Sequence, residues 1–253
     1  MPEGVSRSLA GLARLGYGSI DARTIITFPT DYSLTGNVLI ANIAQPILSF
    51  LYFSYNGLFT CMLLGYEWST YAYHKKGLRV SRLATGSQRS TYFLQLPYRF
   101  ALPLMALSGI LHWLVSQSIF LVAIDVYKWN GTNESSASQG WKSCGYSPIA
   151  ILTVIILGTL MVAAIIGFGF VPFKPGMNLV GSCSVAISAA CHLAAGEVDG
   201  YEAAMAKLQW GDVGVSEEGV GHCAFSTKKV KLPKDGVLYA GMSHRRNAQE
   251  KSG

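Results

Sequence analysis

The chain has 253 residues, half of them hydrophobic, with only 13% charged and a formal net charge of +6. A soluble domain carries about 25% charged residues, so this balance argues against an ordinary water-facing globule and makes the lipid bilayer the first partner to consider. Basic and aromatic residues are not interleaved, which argues against nucleic-acid binding in spite of the positive charge.

Residues 1–37 show no apolar run behind a basic start, so no cleaved signal peptide is expected. They end in TIITFPTDYSLTGN, whose Pro and Gly punctuation reads as loop. No charged residue lies between Asp31 and Glu67, between Arg99 and Asp125, or between Lys142 and Lys174. Each gap exceeds the ~20 residues that an α-helix needs to cross hydrocarbon. Spans are therefore predicted near 38–66, 100–124 and 148–171, within a transmembrane region 38–173. A further uncharged run, Met177 to Gly196, is rich in Gly, Ser and Ala. It reads as a cytosolic or re-entrant helix, with a fourth span as the alternative. The expected fold is an all-α membrane protein, a bundle of three or four transmembrane helices, with a largely irregular tail over 174–253.

Orientation follows from charge. The connection from Glu67 to Arg99 holds Lys75, Lys76, Arg79, Arg82, Arg89 and Arg99 against one acid, whereas the connection from Asp125 to Tyr146 holds Lys128 and Lys142. The positive-inside bias places the first connection and the carboxyl-terminal tail in the cytoplasm, and the amino-terminal segment outside. Asn130 in NGT and Asn133 in NES are candidate glycosylation acceptors in the outer connection. The expected location is the plasma membrane or another membrane of the secretory pathway.

At 100° per residue, Asn42, Gln45, Ser49, Tyr52, Asn56 and Thr60 share an arc of roughly 80° on the first span. On the second, Ser108, His112 and Ser116 step by four residues onto one face. Such faces turn toward protein or water, not lipid. An intramembrane His is a functional hypothesis in its own right. The competing reading is a neutral imidazole bonded to Asn42, Ser49 or Asn56, and it is favoured because no acid or base lies within a span. Gln117 and Ser118 are expected to contact other helices, of this chain or another. Thr159, Ala163 and Gly167 form a small-residue stripe suited to close helix packing.

The phosphate-binding, nucleophile-elbow and zinc-protease patterns are all missing. Cys183, Cys191, His192, His222 and Cys223 supply soft ligands, but their spacing matches no zinc module, and buried thiols are the preferred account. Cys144 stands alone outside and is expected to have a partner elsewhere. No cofactor, metal or catalytic residue is assigned.

The blocks ILSFLYFSYNGLFTCMLLGYEW, QRSTYFLQLPYR, LSGILHWLVSQSIFLV, CGYSPIAI, KPGMNLVGSCSVAISAACH and GHCAFS…LYAG, in order along the chain, resemble a fungal family of multi-pass membrane proteins of unknown function. The resemblance implies a helical membrane protein with no known activity, and a chain corresponding to the carboxyl-terminal part of longer members. The expected role is a non-enzymatic scaffold or receptor-like membrane component, with a transporter or channel subunit lined by the two polar faces as the alternative.

Overall fold

The computed structural model describes residues 8–26, 33–129, 135–192, 196–197, 199–215 and 219–240. Helix makes up 50% and strand 18%, in three sheets, so the expectation of an all-α bundle is overturned: this is a mixed α/β protein. It still contains three helices long and apolar enough to cross a membrane, within Leu34–Ala72, Tyr98–Ser118 and Pro148–Gly169. The chain divides into two compact units, Met1–Gly57 with Tyr98–Phe170, and Leu58–Pro97 with Val171–Gly253.

In the first unit, the expected loop before the first span is partly ordered as α1 (Leu9–Ala13), β1 (Ile25–Ile26) and α2 (Leu34–Asn42). Ser33 starts α2 by accepting a hydrogen bond from the Gly36 amide at 3.2 Å, a capping role typical of Ser. The ladder breaks at Ile43 before α3 (Ala44–Ser69). Pro46 explains the break, because it has no N–H to offer the Asn42 carbonyl four residues back. The second span, α4 (Tyr98–Ser118), starts two residues before its predicted position, which puts Pro103 in the second turn. It also ends early. IFLVAIDVYKW, read partly as helix, forms β5 (Ile119–Trp129) and pairs antiparallel with β6 (Ser135–Tyr146), and β1 adds to the far side of β6. Its β-branched and aromatic residues favour a strand, and an apolar run alone does not separate the two states. The 21 residues of α4 still reach about 31 Å at 1.5 Å each, enough for a bilayer core. The third span, α5 (Pro148–Gly169), starts with Pro at its first position, where a missing N–H is harmless.

In the second unit, the chain from Tyr71 onward supplies β2 (Lys76–Gly77), β3 (Arg79–Val80) and β4 (Arg89–Ser90). The tail then supplies α6 (Ser184–Ala190), α7 (Gly200–Met205), β7 (Lys207–Val215) and β8 (Gly221–Ser226). The expectation of an irregular tail is thus corrected. β2, β7 and β8 form one sheet around a core of Tyr71, Ala72, Met177, Ala203, Leu208, Trp210 and Phe225. Tyr71 meets the edge of Phe225 at 5.4 Å between ring centroids. Gly211 is required by close approach, since a Cβ there would lie 2.3 Å from the Lys231 carbonyl. The Ser/Ala-rich run 177–196 yields only the seven-residue α6 among its described residues, too short for a span.

Candidate functional site

Two places in the molecule concentrate polar chemistry against apolar surroundings. The first is the seam between the spans. His112 Nδ1 lies 2.6 Å from Gln45 Oε1, and Gln45 Nε2 donates to the His112 carbonyl at 3.2 Å. The amide oxygen only accepts, so the imidazole donates through Nδ1. The sequence points to Asn42, Ser49 or Asn56 as the partner of His112; the residue that meets the imidazole is Gln45.

The rest of the seam is divided. Asn42 is exposed and turns back to the Val38 carbonyl at 2.8 Å, and Ser49 returns to the Gln45 carbonyl at 3.2 Å. Asn56, Thr60 and Ser108 are half-buried, while Ser116 is exposed and bonds the Trp113 carbonyl at 2.7 Å. Further links join the spans, from Tyr55 hydroxyl to the Met161 carbonyl at 3.2 Å and from Phe100 to Phe168 edge to face at 6.4 Å. Gln117 and Ser118 find their neighbours inside this chain. A Cβ on Gly18 would strike the Gln117 side chain, and the Ser118 carbonyl accepts from the Ser147 amide at 2.9 Å. The stripe of Thr159, Ala163 and Gly167 is exposed, and a Cβ added at Gly167 would meet nothing within 4 Å among the described residues.

Cys144 is fully buried and donates to the Asn37 carbonyl at 3.4 Å, so its thiol is not exposed to a partner elsewhere, contrary to the expectation from the sequence. Burial pushes this thiol's pKa up. Asn37 went unnoticed in the sequence. It is buried and donates to the Lys142 carbonyl at 3.3 Å, fastening α2 to β6. Asn130 and Asn133 lie outside the described residues.

The second place lies wholly in the second unit. Glu67, the lone acid of its connection, receives Arg79 Nε at 3.0 and 2.9 Å and Arg89 Nη2 at 2.8 Å. Both carboxylate oxygens are engaged, and the side chain is 19% exposed. Arg89 also donates to the Gly77 carbonyl at 2.9 Å, and Arg79 to the Ser90 carbonyl at 2.9 Å. This triad ties the end of α3 to β2, β3 and β4. Beside the sheet of this unit is a cavity of about 600 Å³ whose walls include Trp68, Trp210, Tyr239, His192, His222 and Cys223. Three of the five soft-ligand residues therefore share one space, while Cys183 and Cys191 do not line it. Among the described residues, no three His, Cys, Asp or Glu side chains gather closely enough for a metal. Burial, together with the nearby Asp212 carboxylate, pushes the Cys223 thiol up to about 11.

Residues 3–231 match the model of a family described as a domain of unknown function, DUF8419. The chain belongs to that family. No curated protein and no solved structure matches this DUF8419 chain. The fold and sites described above are therefore read from its own residues.

Proposed function

We propose that the chain is a multi-pass membrane protein with three spans that works as a non-enzymatic scaffold or receptor-like component of the plasma membrane or a secretory-pathway membrane. In this reading the amino terminus lies outside and the carboxyl terminus in the cytoplasm. The observation that carries it is the choice of strand partners. Three spans would deliver the amino-terminal segment and the connection 119–147 to one side, and the connection 70–97 and the tail to the other. β1 pairs with β6 in one sheet, and β2 pairs with β7 in another. Each of these sheets uses only segments that a three-span path would leave on a single side. Charge points the same way, since the Lys- and Arg-rich connection falls in the unit assigned to the cytoplasm. The sequence blocks resembling a fungal multi-pass family agree with it.

The reciprocal pairing of His112 with Gln45 favours helix packing over passage. Interhelical side-chain bonds in lipid contribute about 0.6–2 kcal/mol. Replacing His112 with Ala is expected to lower thermal stability by about 1 kcal/mol and to leave solute flux into proteoliposomes at background. A pH-dependent flux in the parent chain that disappears in His112→Ala at equal folded protein would replace the scaffold reading with a transporter.

A further inference from the structure

We propose, building on the three-span reading, that the basic cluster at the end of α3 holds the phosphate of an anionic phospholipid, with its acyl chains along the last apolar turns of that helix. Four cations gather there around one carboxylate among the described residues. Arg79 and Arg89 share Glu67. Lys76 and Lys174 have no carboxylate partner among the described residues. Both are fastened to the turn that ends α3: Lys76 Nζ donates to Thr70 Oγ1 at 2.6 Å, and the Lys174 amide donates to Ser69 Oγ at 3.3 Å. The Thr70 hydroxyl gives its own proton to the Glu67 carbonyl at 2.6 Å, so a lone pair faces Lys76. Thr70 occupies one of the three donors of that ammonium and offsets none of its charge. Burial lowers the Lys76 pKa; Glu67 opposes the shift, while Arg89, Lys174 and Arg79 add to it. The Lys174 ammonium lies over Tyr73, 5.2 Å from the ring centroid, which holds the charge in place without taking an oxygen acceptor.

One turn back toward the span the surface changes character, and this points to a lipid rather than a free phosphate. A Cβ on Gly65 would lie 3.1 Å from Phe173 and 3.2 Å from Leu179, so both side chains pack across α3 at that level. They remain 39% and 57% exposed, and the neighbouring Leu64 is 51% exposed. Ser69 is four residues further on, about 6 Å along the helix axis. An exposed apolar band therefore adjoins a cationic one. That order matches a phospholipid, whose acyl chains would cover the first band while its phosphate meets Lys76 and Lys174. In the proposed topology this end of α3 faces the cytoplasmic leaflet, where anionic lipids are concentrated.

Native mass spectrometry of the full chain in detergent, offered equal amounts of dioleoyl-phosphatidylglycerol and dioleoyl-phosphatidylcholine, reads the headgroup preference at constant acyl chain. The parent chain should retain phosphatidylglycerol with about 20-fold preference, since each lysine near an anionic headgroup contributes about fivefold. Lys76→Ala and Lys174→Ala should each lower the preference about fivefold, and the double variant should bring it within about twofold of parity. Lys76→Arg keeps the charge and should keep the preference. Lys234→Ala removes an exposed lysine anchored at Tyr239 instead, and should leave it unchanged. Thermal melts confirm that each variant is folded. Equal retention of the two lipids by the parent chain, or parental preference in the folded double variant, overturns the proposal. Displacement of the lipid by an equal concentration of glycerol 3-phosphate, which lacks acyl chains, would assign the cluster to a free phosphate ester and overturn it too. Detergent presents lipid to the chain from every side, so a lost preference strikes the lipid site alone, whereas a wrong topology would show in two-sided thiol labelling with the preference intact.

Discussion

The long apolar helices of the first unit and the sheet core of the second treat their large apolar side chains differently. In the first unit, Phe50 and Phe53 on α3 are each 70% exposed, Leu160 on α5 is 61% exposed, and the sole buried residue of α5 is Ala150. In the second, Phe225 is 3% and Trp210 8% exposed, inside a core of their own. The contrast is what two solvents would produce, with lipid around the helices of one unit and water around the sheet of the other. Polar groups follow the same division. In the long apolar helices, hydroxyls return to backbone carbonyls of their own helix, as Ser49, Ser54 and Thr153 do. In the second unit, Glu67 and two guanidiniums form a network across three elements.

That contrast can be broken in three places. The largest effect is expected from Phe225→Ala, which opens a cavity in the core of the second unit and should cost about 3–5 kcal/mol. Phe53→Ala, on an exposed helix face, should cost under about 0.5 kcal/mol. Paired thermal or denaturant melts in nanodiscs compare the two, and equal losses would erase the distinction. Next comes Leu160→Arg. A charge at the middle of a lipid-facing helix should disfavour membrane insertion by about 2.5–3.5 kcal/mol, whereas on a water-facing helix it would have almost no effect. The fraction of chain that resists alkaline extraction from membranes reports the difference. Third is Glu67→Gln, which leaves two guanidiniums short of a partner and should destabilise the second unit by about 2 kcal/mol. Faster amide exchange confined to residues 67–90 is the expected signature, and unchanged exchange there would mean the triad is only a surface ion pair.

The sequence was most legible where one physical rule acted alone. A charge-free run after Ser-Pro located α5 almost to the residue, and helical periodicity identified the faces that carry Gln45 and His112. It was least legible where a run satisfied two rules at once. Ile119 to Ile124 continues the hydropathy of α4, so the switch to β5 was hidden; the β-branched residues and the nearby Tyr127 and Trp129 were the available clue. The core of the second unit is built from pieces far apart in sequence, with Tyr71, Met177, Trp210 and Phe225 meeting only after folding. No local period announces such a cluster. Ser33 was visible as a cap and was read as loop instead, because Pro29 and Gly36 suggested punctuation. The cavity had a partial signal in His192, His222 and Cys223, but nothing in their spacing foretold that Trp210 would join them.

In the proposed topology the sheet of β1, β5 and β6 and the sheet of β2, β7 and β8 would be reached from opposite sides of a membrane. Lys142 on β6 and Cys183 beside α6 are both exposed, so a Lys142→Cys variant adds an exposed thiol to the first unit that can be compared with Cys183 in the second. Intact cells expressing it are treated with a membrane-impermeant maleimide, and the label on each cysteine is quantified before and after permeabilisation. Labelling at position 142 in intact cells, with Cys183 reached only after permeabilisation, is the predicted result. Labelling of both thiols from the same side would contradict it.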